Sequence, residues 1–317
     1  MRIKEGYTNT IKQELISIII ITYNAMAWAD KCLKPLANVP DNAKVYIIDN
    51  GSSDGTQDFI KSNFKQFNFY QSKLNLGFGK ANNLGFEMAL KDGCSHFLLL
   101  NQDATISWSD IFRLAQIQDK NQDFGIISPL QLFSYKKVDF LHLKSLMKKS
   151  YTYFNDIVCD NQLSELYEIG YTNAAIWMVS KECLKKAGGF DPIFPHYGED
   201  NDYSKRVNFF GFKIGLAPDI KAYHLRSQKI KTSKKTEKEY YVNFLVRLKT
   251  MEFRTSKTYI KILFELLTGS FNTSDMGSSK SWRAYFRLVK KYSLIKKHKH
   301  LNLSNSFCFL SISKENR

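Results

Sequence analysis

Two acidic groups that lie far apart in the sequence have the residue types needed for group transfer from a metal-bound diphosphate. The first is Asp103, which ends a short polar triplet directly after the apolar run 97–100. A carboxylate beyond a buried strand can ligate Mg²⁺ or Mn²⁺, and these ions need few protein carboxylates when substrate phosphates fill the other positions. The second group is Glu199-Asp200, about a hundred residues later, which could supply a general base.

The second acidic group holds three carboxylates in four residues, Glu199, Asp200 and Asp202, at the start of a predicted helix. A helix dipole alone favours acidic residues in a first turn. Like charges this close also raise the pKa of one carboxyl group, which suits a base. We expect Asp200 to be the base, with Glu199 as the alternative, whereas Asp202 orients its neighbours or pairs with Arg206.

The elements that must position these groups are predicted from short apolar runs that alternate with helix-like stretches. The runs are 18–21, 45–48, 67–70, 97–100 and 125–128. This alternation is typical of βαβ units and predicts an α/β fold with a mostly parallel sheet. Ligands of such sheets bind beyond the carboxyl ends of the strands.

Polar clusters follow three of these runs, at 22–24, 49–56 and 101–103. Asp49 and Asn50 end the second run and could accept the N3–H of a pyrimidine base, although ordinary turn chemistry also explains them. Between the third run and the next helix, Lys80 and backbone amides could meet phosphate, or the segment could be a simple loop entering a helix. Asp103 could instead cap the next helix, for which Ser107 is the better cap.

The later part of the chain predicts further strands and helices. Strand-like sequence over 167–180 leads into a helix at 181–187, and a strand beginning at 213 continues through Pro218 to His224. His224 is a possible further metal ligand or a structural histidine. His196, close to the acidic group, could touch substrate.

The C-terminal third differs from the rest in charge. Residues 1–220 carry equal numbers of basic and acidic side chains, whereas residues 221–317 carry 22 basic and 6 acidic ones, which accounts for the whole net charge of +16. The polar, lysine-rich stretch 228–239 predicts a mobile loop or linker, and helices are predicted over 240–253, 259–267 and, as one basic helix, 282–299. Such a segment needs an acidic partner, either anionic lipid or a polyanion.

Apolar patterning and cysteine usage limit the class of protein. The first apolar run, residues 16–21, is too short for a signal peptide, and no window reaches the length of a spanning helix. A soluble or peripheral protein is therefore expected. The five cysteines show no metal-binding spacing and indicate reduced thiols in the cytosol.

With these motifs in order, the chain resembles family 2 glycosyltransferases of the GT-A fold, in particular the rhamnosyltransferase-like bacterial members. The resemblance spans about residues 15–228. The strings that carry it are SIIIITYN (17–24), VYIIDNGSSDGT (45–56), NLGFGKANN (75–83), NQD (101–103) and YGED (197–200). Asn50 and Asn101 stand where many members have aspartate. The first difference leaves open whether the nucleoside of the donor is uridine or thymidine, and the second makes Asp103 the one carboxylate of its triplet.

The resemblance implies a GT-A, Rossmann-like catalytic domain over 1–228, with a nucleotide-binding half (15–130) and an acceptor half (131–228), followed by a basic helical extension (229–317). It implies that Asp103 and His224 ligate Mg²⁺ or Mn²⁺ and that Asp200, or else Glu199, deprotonates the acceptor hydroxyl. The side chains expected at the nucleotide-sugar are Thr22, Tyr23, Asn24, Asp49, Asn50, Lys80, Asn83, Asn101 and Gln102.

The expected function is inverting transfer from dTDP-rhamnose or a UDP-sugar to a lipid-linked or polysaccharide acceptor in cell-surface polysaccharide (O-antigen or capsule) synthesis. The protein is then expected in the cytoplasm, peripheral on the inner face of the cell membrane, where residues 229–317 contact anionic lipid. The rival predictions are a nucleotidyltransferase, which lacks support because its N-terminal Gly-rich loop is missing, and a basic nucleic-acid-binding module; no nucleic-acid partner is expected.

Overall fold

The protein is described by a computed structural model that covers residues 14–147, 150–194, 196–226, 236–252, 254–268, 278–304 and 306–311. The strands are β1 (Ile16–Thr22), β2 (Ala43–Asp49), β3 (Asn68–Gln71), β4 (His96–Asn101), β5 (Ala104–Thr105), β6 (Phe124–Ser134), β7 (Lys137–Val138), β8 (Tyr167–Ile169), β9 (Ile176–Ser180) and β10 (Lys213–His224).

Helices flank the sheet and form the C-terminal part. They are α1 (Ala29–Leu33), α2 (Thr56–Asn63), α3 (Phe78–Lys91), α4 (Trp108–Lys120), α5 (Phe140–Leu146), α6 (Tyr151–Val158), α7 (Lys181–Ala187), α8 (Glu199–Phe209), α9 (Glu237–Lys249), α10 (Thr255–Thr268), α11 (Ser279–Val289) and α12 (Tyr292–Ser304), with a short 3₁₀ turn at Lys34–Leu36.

The first half of the sheet is parallel, as the apolar runs predict. The order is β3-β2-β1-β4, and the register places Thr22 opposite Asp49 and Ile21 opposite Asn101. Strands β1, β2 and β4 are mostly apolar and buried because helices cover both of their faces, whereas the edge strand β3 is largely exposed. Their carboxyl ends therefore meet at one edge and bring the polar residues after each strand together.

The second half of the sheet is mixed, which the expected mostly parallel arrangement did not include. Strand β9 lies between β4 and β6 and runs antiparallel to both, while β10 is parallel to β6. Antiparallel pairing brings the start of β9 beside the end of β4, where the Asn101 backbone N–H donates to the Ala175 carbonyl at 2.9 Å. The loop before β9 thus joins the same edge as the parallel strand ends.

Strand β10 is continuous across Pro218. Its register against β6 shifts between Ala217 and Lys221, and this bulge accommodates a proline that cannot donate a ladder hydrogen bond. The strand ends with His224 opposite Ala104 of β5. Continuity of β10 therefore carries His224 to a position next to the segment that contains Asp103.

The C-terminal helices form their own apolar core. Its buried members include Phe244 of α9, Ile262 of α10, Leu288 of α11 and Ile295 of α12. The single basic helix predicted over 282–299 was wrong: the chain forms two helices, α11 and α12, and Ile295 of α12 is buried in this core.

The predicted linker 228–239 lies mostly outside the described residues, and its last three residues form the first turn of α9.

This C-terminal part is tied to the catalytic half by buried polar contacts. The Asp191 carboxylate lies 2.6 Å from Lys249 Nζ of α9 and 2.7 Å from His298 Nδ1 of α12. Further along, the Gly189 backbone N–H donates to the Cys308 carbonyl at 2.8 Å. Among the described helices, none combines the length and the apolar character needed to cross a membrane.

Candidate active site

The carboxyl ends of β1 and β2 form a tightly bonded polar corner. Asp49 is fully buried and accepts hydrogen bonds from Thr22 Oγ1 at 3.0 Å, from Ser52 N at 3.0 Å and Ser52 Oγ at 2.5 Å, and from Gln57 Nε2 at 2.7 Å. These donors use the acceptor capacity of the carboxylate. Asp49 therefore fixes the shape of the loop between β2 and α2.

Asn50 connects this corner to the loop before α3. Its Oδ1 accepts from Leu76 N at 2.7 Å, and its Nδ2 donates to Asn75 Oδ1 at 3.0 Å. Because Asn75 Oδ1 also accepts from Gly77 N at 2.9 Å, one amide pair holds the entry to α3. Asp49 and Asn50 thus lie at the predicted edge and hold two of its loops in place.

The loop after β1 projects outward from the same edge. Gln102 brackets the Tyr23 backbone, accepting from its N–H at 2.7 Å and donating to its carbonyl at 3.2 Å. Asn24 has a positive φ of 49° and accepts from Ser53 N at 2.9 Å. The ring of Tyr23 is about half exposed and is free to contact a ligand.

Lys80 and Asn83 occupy different environments although both lie in α3. Lys80 is exposed in the first turn. Asn83 is buried, accepts from Phe190 N at 2.7 Å and donates to Phe190 O at 2.8 Å. The Asn83 amide therefore anchors the segment before α8 rather than facing the open edge.

Asp103 and His224 meet although 121 residues separate them. His224 Nε2 lies 3.4 Å from Asp103 Oδ1, and the Leu225 backbone N–H donates to the Asp103 carbonyl at 2.7 Å. The cap of α4 is Ser107, whose Oγ accepts from Asp110 N at 3.2 Å. The Asp103 carboxylate is therefore not used as a helix cap.

Asp139 supports the other side of the His224 ring. This buried carboxylate lies 3.6 Å from His224 Nδ1 and makes a two-pronged ion pair with Arg226, at 2.9 Å to Nε and 2.6 Å to Nη2. It also caps α5 by accepting from His142 N at 2.9 Å. Asp139 thus joins the end of β10 to the start of α5.

The donor set of Asp103 and His224 fits a divalent cation. Both ring nitrogens of the buried His224 lack a hydrogen-bond partner, and Nε2 points toward the Asp103 carboxylate. Neighbouring ligands of an octahedral ion, each about 2.1 Å away from it, lie about 3 Å apart, close to the separation observed. These two residues are therefore suitable ligands for Mg²⁺ or Mn²⁺.

A second group of possible metal ligands lies elsewhere. Glu14, His96 and Asp119 have carboxylate and imidazole atoms within 4.8 Å of one another, at the amino end of β4. His96 Nδ1 faces Glu14 at 3.1 Å and Nε2 faces Asp119 at 3.0 Å, on opposite sides of one ring. This group therefore lies at the amino end of β4, whereas Asp103 lies beyond its carboxyl end.

A cavity of about 580 Å³ joins the second acidic group to this edge. Its wall contains the ends of β4 and β10, the loop before β9, the start of α8 and part of α5. The lining residues that bear on the chemistry are Asn101, Tyr171, Glu199, Asp200, His224 and Arg226. Asp200 and His224 thus open onto one space, and Asp103 touches His224 at its border.

The two carboxyl groups at the start of α8 differ in their partners. Asp200 accepts from Tyr171 Oη at 2.6 Å and from Asn201 N at 2.8 Å, so its carboxylate is oriented. Burial raises the pKa of Asp200 above its usual range, and these hydrogen bonds oppose the rise. Burial also raises the pKa of Glu199 to about 7, with a smaller contribution from Asp200. Glu199 Oε2 has no hydrogen-bond partner.

Tyr171, which the sequence analysis did not identify as a site residue, donates a hydrogen bond to Asp200. Burial, and then the charge of Asp200, raises the pKa of Tyr171 well above its ordinary value, so the phenol stays protonated at neutral pH. The available signal was the polar stretch at 171–173, two residues before β9. This stretch could be assigned to the site only once β9 was known to run antiparallel to β4, because that orientation brings the loop before β9 to the site.

Gly198 sets the direction of α8. Its φ is +89°, and a Cβ placed there would lie 2.6 Å from Val242 Cγ1 of α9. The preceding Tyr197 also has a positive φ, +70°, and its exposed ring lines the cavity together with His196. Close packing on α9 thus aims the first turn of α8 into the cavity.

Known proteins share this architecture at low sequence identity. TarS residues 1–349 from S. aureus, solved in complex with UDP-GlcNAc, match with a TM-score of 0.57 and 16% identity over 95% of this chain and 92% of that chain. GalNAc-T7, solved with UDP, GalNAc and Mn²⁺, matches with a TM-score of 0.59 and 13% identity over 91% of this chain and 59% of that chain.

A longer TarS chain from S. aureus matches at 18% identity and a TM-score of 0.57; 90% of this chain aligns, and it spans about half, 53%, of that chain. These likenesses confirm the predicted GT-A fold. A search of curated proteins finds no match.

The sequence also matches the model of a protein family. The model of the family described as "Glycosyl transferase family 2" matches residues 17–186, more than half of the chain. That region contains the polar corner at β1 and β2, the Asp103 segment and the loop that bears Tyr171. The chain therefore belongs to glycosyl transferase family 2.

Proposed function

We propose that this glycosyltransferase moves a sugar from a nucleotide-sugar donor to an acceptor hydroxyl with inversion at the anomeric carbon. The observation that carries the proposal is the convergence of Asp200 and His224 on one cavity, with Asp103 in contact with His224. A candidate base and a candidate ligand for a metal diphosphate thus line the same cavity. Departure of the leaving group and attack by the acceptor can then be assisted in one space.

The donor side is proposed at the edge formed by β1, β2 and β4. The half-exposed Tyr23 ring and the fixed loop around Asp49 offer a surface for the nucleoside, and Asn101 lines the cavity. A cavity of about 580 Å³ is within the range that small-molecule ligands occupy. The related TarS and GalNAc-T7 structures contain UDP-GlcNAc and UDP, respectively. A UDP-sugar or dTDP-rhamnose is the donor we propose.

Asp103 and His224 would hold the metal ion. When bound there, Mg²⁺ or Mn²⁺ neutralises negative charge on the diphosphate of the donor and so supports its departure. The chain itself keeps these ligands in place, since Asp139 and Arg226 lock the end of β10 to α5. The Mn²⁺ in the GalNAc-T7 structure agrees with this choice of cation.

Asp200 is proposed as the base. The acceptor oxygen forms a bond to the anomeric carbon, the bond from that carbon to the phosphate oxygen breaks, and its electron pair leaves with the nucleoside diphosphate. Asp200 takes the acceptor proton. Tyr171 and Asn201 favour the ionised form of Asp200, so it can accept a proton. Glu199 is the alternative base because it lines the same cavity and titrates near neutral pH.

The acceptor is proposed to be a lipid-linked saccharide used in the synthesis of cell-surface polysaccharide. The support is the net charge of the C-terminal part, since residues 221–317 contain 22 basic and 6 acidic residues. Each Lys or Arg close to an anionic bilayer contributes about 1 kcal/mol of attraction. The protein would then act at the cytoplasmic face of the membrane, where such an acceptor presents its sugar.

A ligand screen tests the donor proposal. Thermal unfolding of the full chain is measured with UDP-, dTDP- and GDP-sugars, with and without Mn²⁺, because a ligand that binds the native state stabilises it by mass action. We expect one class of nucleotide-sugar to raise the unfolding temperature, and more so with Mn²⁺. Transfer should then release a nucleoside diphosphate. Release of pyrophosphate from a nucleoside triphosphate and a sugar phosphate would instead show a nucleotidyltransferase.

A further inference from the structure

A second cavity, remote from the acidic pair, lies between the catalytic half and the C-terminal helices. Its volume is about 450 Å³, and its walls come from the C-terminal half of α8, the end of α9 and the first half of α10. The charged residues that line it are Lys205, Arg247, Glu252, Lys257 and Lys261. The described lining is therefore strongly cationic.

Two carboxylates, Glu252 in the lining and Glu265 beside it, offset part of this positive charge, and an excess of positive charge remains. Arg247 forms an ion pair with Glu265, at 2.7 Å and 2.8 Å. Lys205 donates to the hydroxyl of Thr250 at 3.1 Å. Among the residues that the structure describes, Lys205, Lys257 and Lys261 form no ion pair within 4.0 Å, although Asp202 and Glu252 attract Lys205 over a longer distance. An anion in the cavity would remove this repulsion and gain charge-assisted hydrogen bonds.

The helix that supplies two of these lysines also exposes an apolar stripe. Ile260, Phe264 and Leu267 of α10 are 66%, 62% and 68% exposed. Their spacing places them on one side of the helix, opposite the buried Ile262 and Leu266. Three large apolar side chains in one solvent-facing line are unusual for a water-facing helix and are typical of a helix that lies in a lipid interface.

The cavity and the stripe are close to each other along α10. Lys257 precedes the stripe by three residues and Lys261 follows its first member, Ile260. The ten-residue step from Lys257 to Leu267 spans about 15 Å of helix. A molecule with an anionic head and an apolar tail could therefore contact both at once. A free inorganic anion would use the lysines and leave the apolar side chains in water.

We infer that this cavity binds the phosphate of an anionic phospholipid while the outer face of α10 enters the lipid interface. The inference rests on the membrane docking proposed above and names the residues that perform it. Positive charge in the cavity complements the phosphate, and the stripe complements the acyl region. The lipid chosen is a constituent of the bilayer and is separate from the sugar acceptor.

The test compares two double variants of equal charge in the full chain. Lys257→Gln/Lys261→Gln removes two charges at the cavity, and Lys296→Gln/Lys297→Gln removes two exposed charges on α12. Binding is measured by sedimentation with vesicles of phosphatidylcholine containing phosphatidylglycerol. Loss of a charge-assisted hydrogen bond predicts binding at least about tenfold weaker for the cavity variant than for the α12 variant. Equal weakening would overturn the inference, because a diffuse surface charge would then suffice.

The apolar stripe is tested separately. Phe264→Ser should weaken vesicle binding by roughly tenfold or more, whereas Val158→Ser, at an 81% exposed position on α6, should leave it unchanged. Inorganic phosphate at millimolar concentration is the competitor. Displacement of the protein by phosphate, with no effect of Phe264→Ser, would mean a free-anion site and would contradict the lipid assignment.

The outcomes also separate this inference from the proposed catalytic function. Suppose that the wild-type protein does not bind anionic vesicles but transfers sugar to a soluble acceptor. This result would overturn the proposed membrane docking and the lipid inference, and the transfer proposal would stand. Vesicle binding without nucleotide-sugar binding would overturn the transfer proposal and leave the lipid inference standing. Thermal unfolding of each variant shows whether it is folded.

Discussion

Glu199 is a buried carboxyl group whose ionisation the fold opposes, so Glu199→Gln should stabilise the protein at alkaline pH. Burial raises the pKa of Glu199 from 4.5 to about 7. Between these two values the native state binds more protons than the unfolded state, so this group lowers the free energy of unfolding as pH rises through that window. A shift of about 2.5 units, at 1.36 kcal/mol each, corresponds to about 3 kcal/mol.

Urea unfolding followed by circular dichroism at pH 4.5 and pH 8.5 measures this effect. Glutamine cannot ionise, so the variant should gain about 3 kcal/mol on the wild type when the pH is raised from the lower to the higher value. Glu182→Gln, which removes an exposed carboxylate from the first turn of α7, is the control and should show little pH-dependent gain. A Glu199→Gln effect that is the same at both pH values would refute the reasoning from burial.

Three further predictions concern the same site. Gly198→Ala should destabilise the protein by roughly 1 to 3 kcal/mol more than Gly55→Ala in denaturant unfolding, because both positions have a φ of +89° but a new Cβ meets other atoms only at Gly198; equal losses would count against close packing at α8. Tyr171→Phe should move the acid limb of the kcat/KM pH profile to higher pH, since it removes a hydrogen bond that lowers the pKa of Asp200; an unmoved limb would exclude Asp200 as the titrating base. His224→Ala should raise the Mn²⁺ concentration for half-maximal transfer by about tenfold or more, and an unchanged metal titration would exclude His224 as a ligand.

The parallel half of the fold could be predicted because its signal is local. Runs of branched apolar residues separated by helical stretches define β1, β2 and β4, and their parallel pairing follows from the alternation. The polar residues after these strands then fall at one edge without further information. The same logic placed Asp103 and Asp49 correctly at the strand ends.

The mixed half of the sheet could not be predicted from local pattern. The orientation of β9 depends on long-range pairing with β4 and β6, and this orientation brings Tyr171 to Asp200. The buried environment of Asn83 likewise depends on Phe190, 107 residues away. The break between α11 and α12 was not predicted either, since apolar residues recur at helical spacing on both sides of it.

The most direct test of the central claim is single-turnover transfer by Asp200→Asn, with donor affinity measured on the same protein. The structure places Asp200 in the cavity shared with His224, and a general base typically contributes about 10²- to 10⁴-fold to the rate. We predict a rate lower by that factor with nearly unchanged affinity for the nucleotide-sugar. Transfer at close to the wild-type rate would contradict the claim that Asp200 removes the acceptor proton.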